Sequence, residues 1–582
     1  MLIVSSAHDA PAATTAGASP GAQWRASVQS AAGREVLPML GQQDIPDTLP
    51  LPNGNTVVAG TVSAAGKRGP ANRTLAIAEL LANGHLDRRF GDGGVELTPI
   101  RLLPWQILAL PEGKLLILGP NRYPGSQEPR ITRFPDWELL RLLPNGTPDP
   151  GFGHGGLLDV SGVPVATEGG DHEVVPELAP GGGVVLPTII GPPFSPSTVS
   201  GLVRLSPDGS RDTSFGSGGV LRLAGGLGAL SVLPDGSMVL QTSQPSGPQL
   251  LRLTAGGTPD RSFNAGAPVQ LPFYGVESML VESDGAIELY GYPLPSSLVD
   301  NKIWRYTAGG TLDTSWGSAG ATDLGPSPGY ISQLLATIGG GTLLVALGVH
   351  AGEPLVPVAQ GLPAAEGPTR ARILRLTAAG QIDPTLGGAK GLTVTLPFGG
   401  GSYAPGTIAN LRENSFMPSG VIQRADSTLL FSGMVEASEA VPTEGGPEPL
   451  AWVNGFALAA LDHSYRLDTA FTGATRARVS VRIASTRLSK KGVAVALGSS
   501  GAATAVVTVT AAGHTIARGT VPFFSIERPV NRRTARIPLT SAGWRLLRRI
   551  NSWVRVRVTA KVTAADLAAN HPTTRSSATL RG

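Results

Sequence analysis

Along most of the chain, short runs of alternating apolar and polar residues are broken by Gly, Asp, Asn or Pro, as in "LSVLPDGSMVLQ" (Leu230–Gln241). Alternation with period two, closed by an Asp-Gly or Asn-Gly dipeptide, predicts β-strands joined by tight hairpins, because Gly takes φ > 0 without steric cost. No long stretch keeps the i, i+3, i+4 spacing of an amphipathic helix. The predicted class is all-β.

The breaks repeat. Aligned on an aspartate, the phrase "GSRDTSFGSGG" recurs at Asp87, Asp149, Asp212, Asp260, Asp313, Asp383 and Asp468. Three residues before it stand Gly84, Gly146, Gly209, Gly257, Gly310 and Gly380, with Tyr465 in the last copy. Three residues after it stand Phe90, Phe152, Phe215, Phe263, Trp316, Leu386 and Phe471. A second phrase, "LPNGNTVVAG", "LPEGKLLILG", "LPDGSMVLQ" and their relatives, interleaves with the first. Each unit supplies four strands; in the third these are Val220–Leu223, Ala229–Leu233, Met238–Thr242 and Leu202–Leu205. Seven four-stranded antiparallel units predict a seven-bladed β-propeller over residues 23–471, built from a shared core rather than from separate domains.

Within this scheme the aspartate phrase joins the fourth strand of one blade to the first of the next. Its carboxylate accepts backbone N–H groups two residues on, an Asx-turn, and its aromatic residue is an apolar plug. "REVLPML" is expected to supply the first strand of blade one, with "ARVSVRI" as the alternative closing strand. The phrase reads as structure, not chemistry.

Composition sharpens the organisation. The chain of 582 residues has 77 Gly, 50 Pro, 15% charged residues and no Cys, so disulfides, thiolate metal sites and Cys nucleophiles are excluded. Its apolar runs are shorter than the 18 or so residues of a membrane helix. Residues 1–22, rich in Ala, Ser and Thr, read as a disordered tail or the remnant of a signal peptide. From Thr472 onward, 19 Lys or Arg face two acids, Glu527 and Asp566, giving +17, while the preceding part carries −13. Residues 472–582 alternate as "RVSVRI", "AVVTVT" and "WVRVRVTAKV", predicting a small basic β-sandwich, with "SAGWRLLRRI" as a helical turn capped by Ser541.

These phrases resemble the bacterial delta-60 repeat family, whose pattern ends in D-x-S-F-G-x-G-G and includes a D-G-K-hydrophobic-G half. The match spans about Asp44 to Phe471; copies six and seven depart from it at Leu386 and Tyr465. The resemblance implies a repeat-built, exported protein of uncharacterised activity and carries no catalytic residue. The C-terminal part is similar to immunoglobulin-like tail domains of exported actinobacterial proteins, so an extracellular or cell-surface location is expected.

Five arginines lie eight residues before the anchor: Arg141, Arg204, Arg252, Arg305 and Arg375. One ion pair per blade is the preferred reading over a cationic ring. "GASPG" at Gly17–Gly21 spells a nucleophile elbow but lacks the strand before and the helix after that would make one. Candidate ligand-binding residues come from topology. Insertions gather at the end opposite the Asp-Gly turns: Gly119–Trp137, Pro187–Ser200, Gly348–Arg370 and Gly433–Val453, with Ser161–Glu173 and Phe398–Gly420. The links nearest the channel hold Asp171, His172, Tyr274, Tyr330, Tyr403, Arg412 and Glu413, a set suited to a sugar or peptide. The expected function is non-enzymatic binding of a polysaccharide, envelope polymer or protein at that end, with the basic module for attachment. A lyase or glycoside hydrolase would need two convergent carboxylates among Asp171, Glu173 and Glu413; a purely structural surface protein would need no pocket. No cofactor, metal or membrane span is expected, and no recognition motif points to nucleic acid.

Overall fold

A computed structural model describes residues 29–31, 34–37, 48–63, 73–98, 100, 102–120, 137–160, 174–191, 199–273, 275–292, 301–324, 330–337, 340–347, 370–396, 410–424, 426–443, 446–468, 471, 479–499, 503–523, 531–550, 554–566 and 573–581. The protein is all-β, dominated by four-stranded antiparallel sheets. The first six sheets each take four strands in chain order. The third, for instance, runs Glu177–Ala179, Gly183–Ile190, Val199–Leu205 and Val220–Arg222.

The seventh sheet differs. Asn410–Gln423, Leu429–Thr443 and Gly446–Leu461 are followed not by a later strand but by Arg34–Leu37 and then Gln29–Ala31. Arg34 pairs with Ala459 and Leu37 with Phe456. The expectation for "REVLPML" is therefore corrected: it is an outer strand of the last sheet, and the first sheet begins at Thr48–Pro50. Leu37, fully buried against Leu430, Leu458 and Val58, explains why the strand seats there. "ARVSVRI" contributes Val479–Ile483 to the tail instead.

A second correction concerns the aspartate phrase. Val220 pairs with Val203 and Arg222 with Gly201, so the phrase joins the third and outermost strands of one sheet rather than two sheets. The Asp-Gly turn joins the first and second strands. Antiparallel pairing still puts both on one end and the insertions on the other. The described parts of two of those insertions are strand: 433–443 with 446–453 extend one hairpin, and 410–420 extend its inner partner.

Alternation along each strand sends successive side chains to opposite neighbours. In Leu115–Pro120, Leu115 and Ile117 pack with Val57, Ile77 and Phe90 of the first sheet. Leu116 and Leu118 pack with Val184, Leu186 and Val203 of the third. The same holds from third to fourth sheet (Leu202, Leu240), fourth to fifth (Leu250, Leu289), fifth to sixth (Ile303, Leu344) and sixth to seventh (Ile373, Phe431). The seventh returns to the first through Leu430, Leu458 and Phe471 against Val58, Ala76 and Ala78.

The tail holds a three-stranded sheet (Val479–Ile483, Val493–Ser499, Asn531–Ile537) and a four-stranded one (His514–Phe523, Ala503–Ala511, Arg555–Asp566, Thr573–Arg581). They share one core around Val495, Val507, Val509 and Val558. Helix Ser541–Arg549 is capped by Thr540, whose Oγ1 accepts the Gly543 N–H, so Ser541 is the first helical residue rather than the cap. Among the described residues no helix is long and apolar enough to cross a membrane.

Candidate functional site

The end that carries the aspartate corners is locked by one arrangement. The Asp212 Oδ1 accepts the Ser214 N–H at 3.0 Å and its hydroxyl at 2.6 Å, while Phe215 N–H donates to the Asp212 carbonyl at 3.1 Å. The Ser214 hydroxyl bond holds the Asp212 carboxyl below the usual carboxylate range. The same N–H contact recurs at Asp87, Asp149, Asp260, Asp313 and Asp383. Phe90, Phe152, Phe215, Phe263, Trp316 and Phe471 are all buried.

Each of the five arginines meets its anchor carboxylate, at 2.9 Å for Arg141, 2.8 Å for Arg204, 3.1 Å for Arg252, 3.0 Å for Arg305 and 2.7 Å for Arg375. Arg141 also lies 4.3 Å from the Phe152 ring centroid and donates to the Pro207 carbonyl of the next corner. Arg204 covers Phe215 at 4.9 Å and reaches Ala255. Two copies lack this arginine and replace it differently. In the first, Glu79 occupies the position and is held by Asn55, while Arg89 binds Asp87 at 2.7 Å. In the seventh, Ala460 occupies it; Arg424, from the neighbouring turn, lies 5.5 Å from the Phe471 centroid and donates to the Gly54 and Ala82 carbonyls of the first sheet.

The glycine before each anchor has a reason that spacing did not reveal. A Cβ on Gly146 would sit 2.7 Å from the Phe90 ring, and one on Gly310 would sit 2.8 Å from Phe263. Gly209, Gly257 and Gly380 stand likewise against Phe152, Phe215 and Trp316. These five aromatic plugs thus fit beneath the glycine of the following copy.

At one junction the fit is exchanged. Between the sixth and seventh sheets the plug is Leu386 and the glycine is Tyr465, both packed on the same cluster. A cleft of about 330 Å³ opens there, lined by Arg375, Asp383, Thr377, Gln423, Ser427, His463 and Tyr465 among others. The only hint of it in the sequence was the degeneracy of copies six and seven.

Of the residues expected to bind a ligand, Asp171, His172, Tyr274 and Tyr403 lie outside the described residues, as does Glu173. Tyr330 begins the innermost strand of the sixth sheet and pairs with Leu347. Arg412 pairs with Ser438 in the seventh, and Glu413 falls in the register shift that follows. These three share the insertion-bearing end on adjacent inner strands; of the candidate carboxylates Asp171, Glu173 and Glu413, only Glu413 lies among the described residues. Elsewhere on the inner and second strands, burial pushes the Glu177 and Glu288 carboxyls up to about 7. Among the described residues no group of three or more His, Asp or Glu could hold a metal ion.

Residues 131–152 and 193–215 match the profile of a β-propeller domain of unknown function (DUF5122). No curated protein matches the sequence. Among solved structures, a putative gluconolactonase is 13% identical, covering 54% of this chain and 90% of its own, with a TM-score of 0.26. A prolyl endopeptidase is 12% identical, covering 82% of this chain and 55% of its own, at 0.36. Regucalcin from Agrobacterium tumefaciens is 10% identical, covering 46% and 88%, at 0.22. Both profile matches end on a corner aromatic, Phe152 or Phe215, and what they support is a β-propeller repeat family.

Proposed function

We propose that residues 23–471 form a closed seven-bladed propeller of the delta-60 type that binds an extracellular or cell-envelope ligand without catalysis. Residues 472–582, an immunoglobulin-like sandwich, attach it to an acidic envelope polymer. The observation that carries this reading is the outer face of the four-stranded tail sheet. Arg555 stands directly opposite Arg581, and Lys561 opposite Arg575; the row continues through Thr508 to Arg518. All five cations are exposed, while Val558, Ala560 and Val562 face the core. Like charges directly across a strand pair are destabilising, and among the described residues the tail forms no ion pair. Such a face is retained at a cost in stability, which a polyanion laid across it would offset by neutralisation.

Ligand binding is assigned to the insertion-bearing end. The opposite end carries the repeated corner locks, whereas chain length varies from copy to copy at the insertion-bearing end, and binding residues concentrate on such variable connections.

The test is co-sedimentation of the full chain with a polyglycerol phosphate at rising salt, beside the variant R555S/K561S/R575S. Binding that weakens with salt and drops in the variant is expected, since counterion release scales with the cations engaged. No binding at low salt, or binding indifferent to salt, refutes the attachment module and leaves the cationic face a solubility feature.

A further inference from the structure

The cleft between the sixth and seventh sheets departs from the repeat in a directed way. In the other copies the Asp-Gly turn carries a glycine where the seventh has Ser427, and the anchor carries a glycine where the seventh has Tyr465. Both residues keep the left-handed backbone, with φ of 65° and 55°. Side chains are thus held where glycine is favoured, and both line the cleft.

Arg375 is the second departure. Arg141 and Arg204 spend their outer nitrogens on carbonyls of the next corner. Arg252 and Arg305 spend theirs on acids of the adjoining turn, Asp235, Glu282 and Asp284. The sixth copy has glycines in that turn, and Leu386 stands where other copies carry an aromatic residue. Arg375 binds Asp383 through Nε and Nη2, and Thr385 through Nη2; among the described residues its Nη1 meets no acceptor. Its side chain is 34% exposed, against 11% for Arg141 and 16% for Arg204. His463 and the Gln423 amide line the same space. The acids nearby are committed: Asp383 to Arg375, and Asp426 to the Thr428 N–H and hydroxyl.

We propose that this cleft binds a single oxyanion, a carboxylate or phosphate group of a small ligand, on the outward arm of Arg375, with His463 and Tyr465 as further donors. A guanidinium arm with no acceptor among the described residues, beside a cleft that also holds His463, Gln423 and Tyr465, suits such a group, because charge-assisted hydrogen bonds are the strong ones. The site lies at the corner end, so it is independent of the ligand assigned to the insertion-bearing end.

The test is calorimetric titration of the full chain with sodium acetate and with inorganic phosphate, using sodium chloride and glycerol as controls. Three variants accompany it: R375K, H463A and L386F/Y465G, the last restoring the plug and glycine of the other copies. Saturable millimolar binding of at least one anion is expected, weakened about tenfold or more in R375K and L386F/Y465G. Acetate alone identifies a carboxylate ligand and phosphate alone a phosphate one; either upholds the site. Absence of saturable binding, equal binding of chloride or glycerol, or full binding in R375K overturns it. Should L386F/Y465G fail to fold, R375K decides the question by itself: weakened binding upholds the assignment and undiminished binding refutes it.

Discussion

The exchange of plug and glycine at the last junction can be transplanted to an ordinary one. Phe215 is fully buried, lies under the Arg204 guanidinium and faces Gly257, where an added Cβ would stand 3.2 Å from the ring. Phe215→Leu removes three buried carbons, which at about 0.8 kcal/mol each, with partial collapse of the space, costs roughly 2 kcal/mol. Gly257→Tyr places a side chain on a backbone with φ of +84°, costing about 1–2 kcal/mol, and overpacks the ring by a further 1–3 kcal/mol. The double variant leaves the backbone strain but removes the overlap, because the tyrosine enters space vacated by phenylalanine. It is therefore expected to be less destabilised than the sum of the singles by about 1–2 kcal/mol. Equilibrium urea unfolding followed by circular dichroism, with all four proteins at one pH, measures the cycle. Additivity within about 0.5 kcal/mol would show that Leu386 and Tyr465 are unrelated losses of the pattern, and would refute the plug-under-glycine account.

Phe215→Ala is expected to cost about 3–5 kcal/mol in the same assay, as a buried large-to-small change. Asp212→Ala should cost about 1–2 kcal/mol by removing the acceptor of the Ser214 N–H and hydroxyl and the partner of Arg204. Because the folded carboxyl of Asp212 is lowered, its contribution is present above the unfolded value near 4 and fades on acidification through the lower folded value, so the Ala variant should lose some of the acid sensitivity of unfolding. Arg424→Ala removes the donor to the first-sheet carbonyls and the cover of Phe471. It should cost about 2–3 kcal/mol and raise hydrogen exchange at both ends of the repeat array. Glu177 works in the opposite sense to Asp212: its folded carboxyl is raised to about 7 by burial, so its stabilising share is complete below the unfolded value and is lost as pH rises through about 7. Glu177→Gln should flatten the stability profile across that window; an unchanged slope would show that its surroundings do not favour the protonated acid.

The sequence by itself determined the local structure. Period-two alternation, Asp-Gly turns and the aspartate phrase specify strands, hairpins and buried plugs, because those outcomes depend on side-chain direction and φ over a few residues. Asp212 with Ser214 and Phe215 is such a case. What joins to what was decided elsewhere. A phrase between two strands reads the same whether it links two sheets or returns within one, and only the pairing of Val220 with Val203 separates these. Arg34–Leu37 carries a strand pattern, yet its partner lies more than four hundred residues away at Phe456–Ala459. That pairing is set by a vacant edge, which no local signal encodes. The glycine at 257 is legible as a turn residue, but its contact with Phe215 arises from two copies meeting across a sheet interface. The cleft at Arg375, Ser427 and Tyr465 is the furthest case. Each residue alone looks like a lapse in the repeat; only packing the sixth sheet on the seventh brings the lapses together around one space.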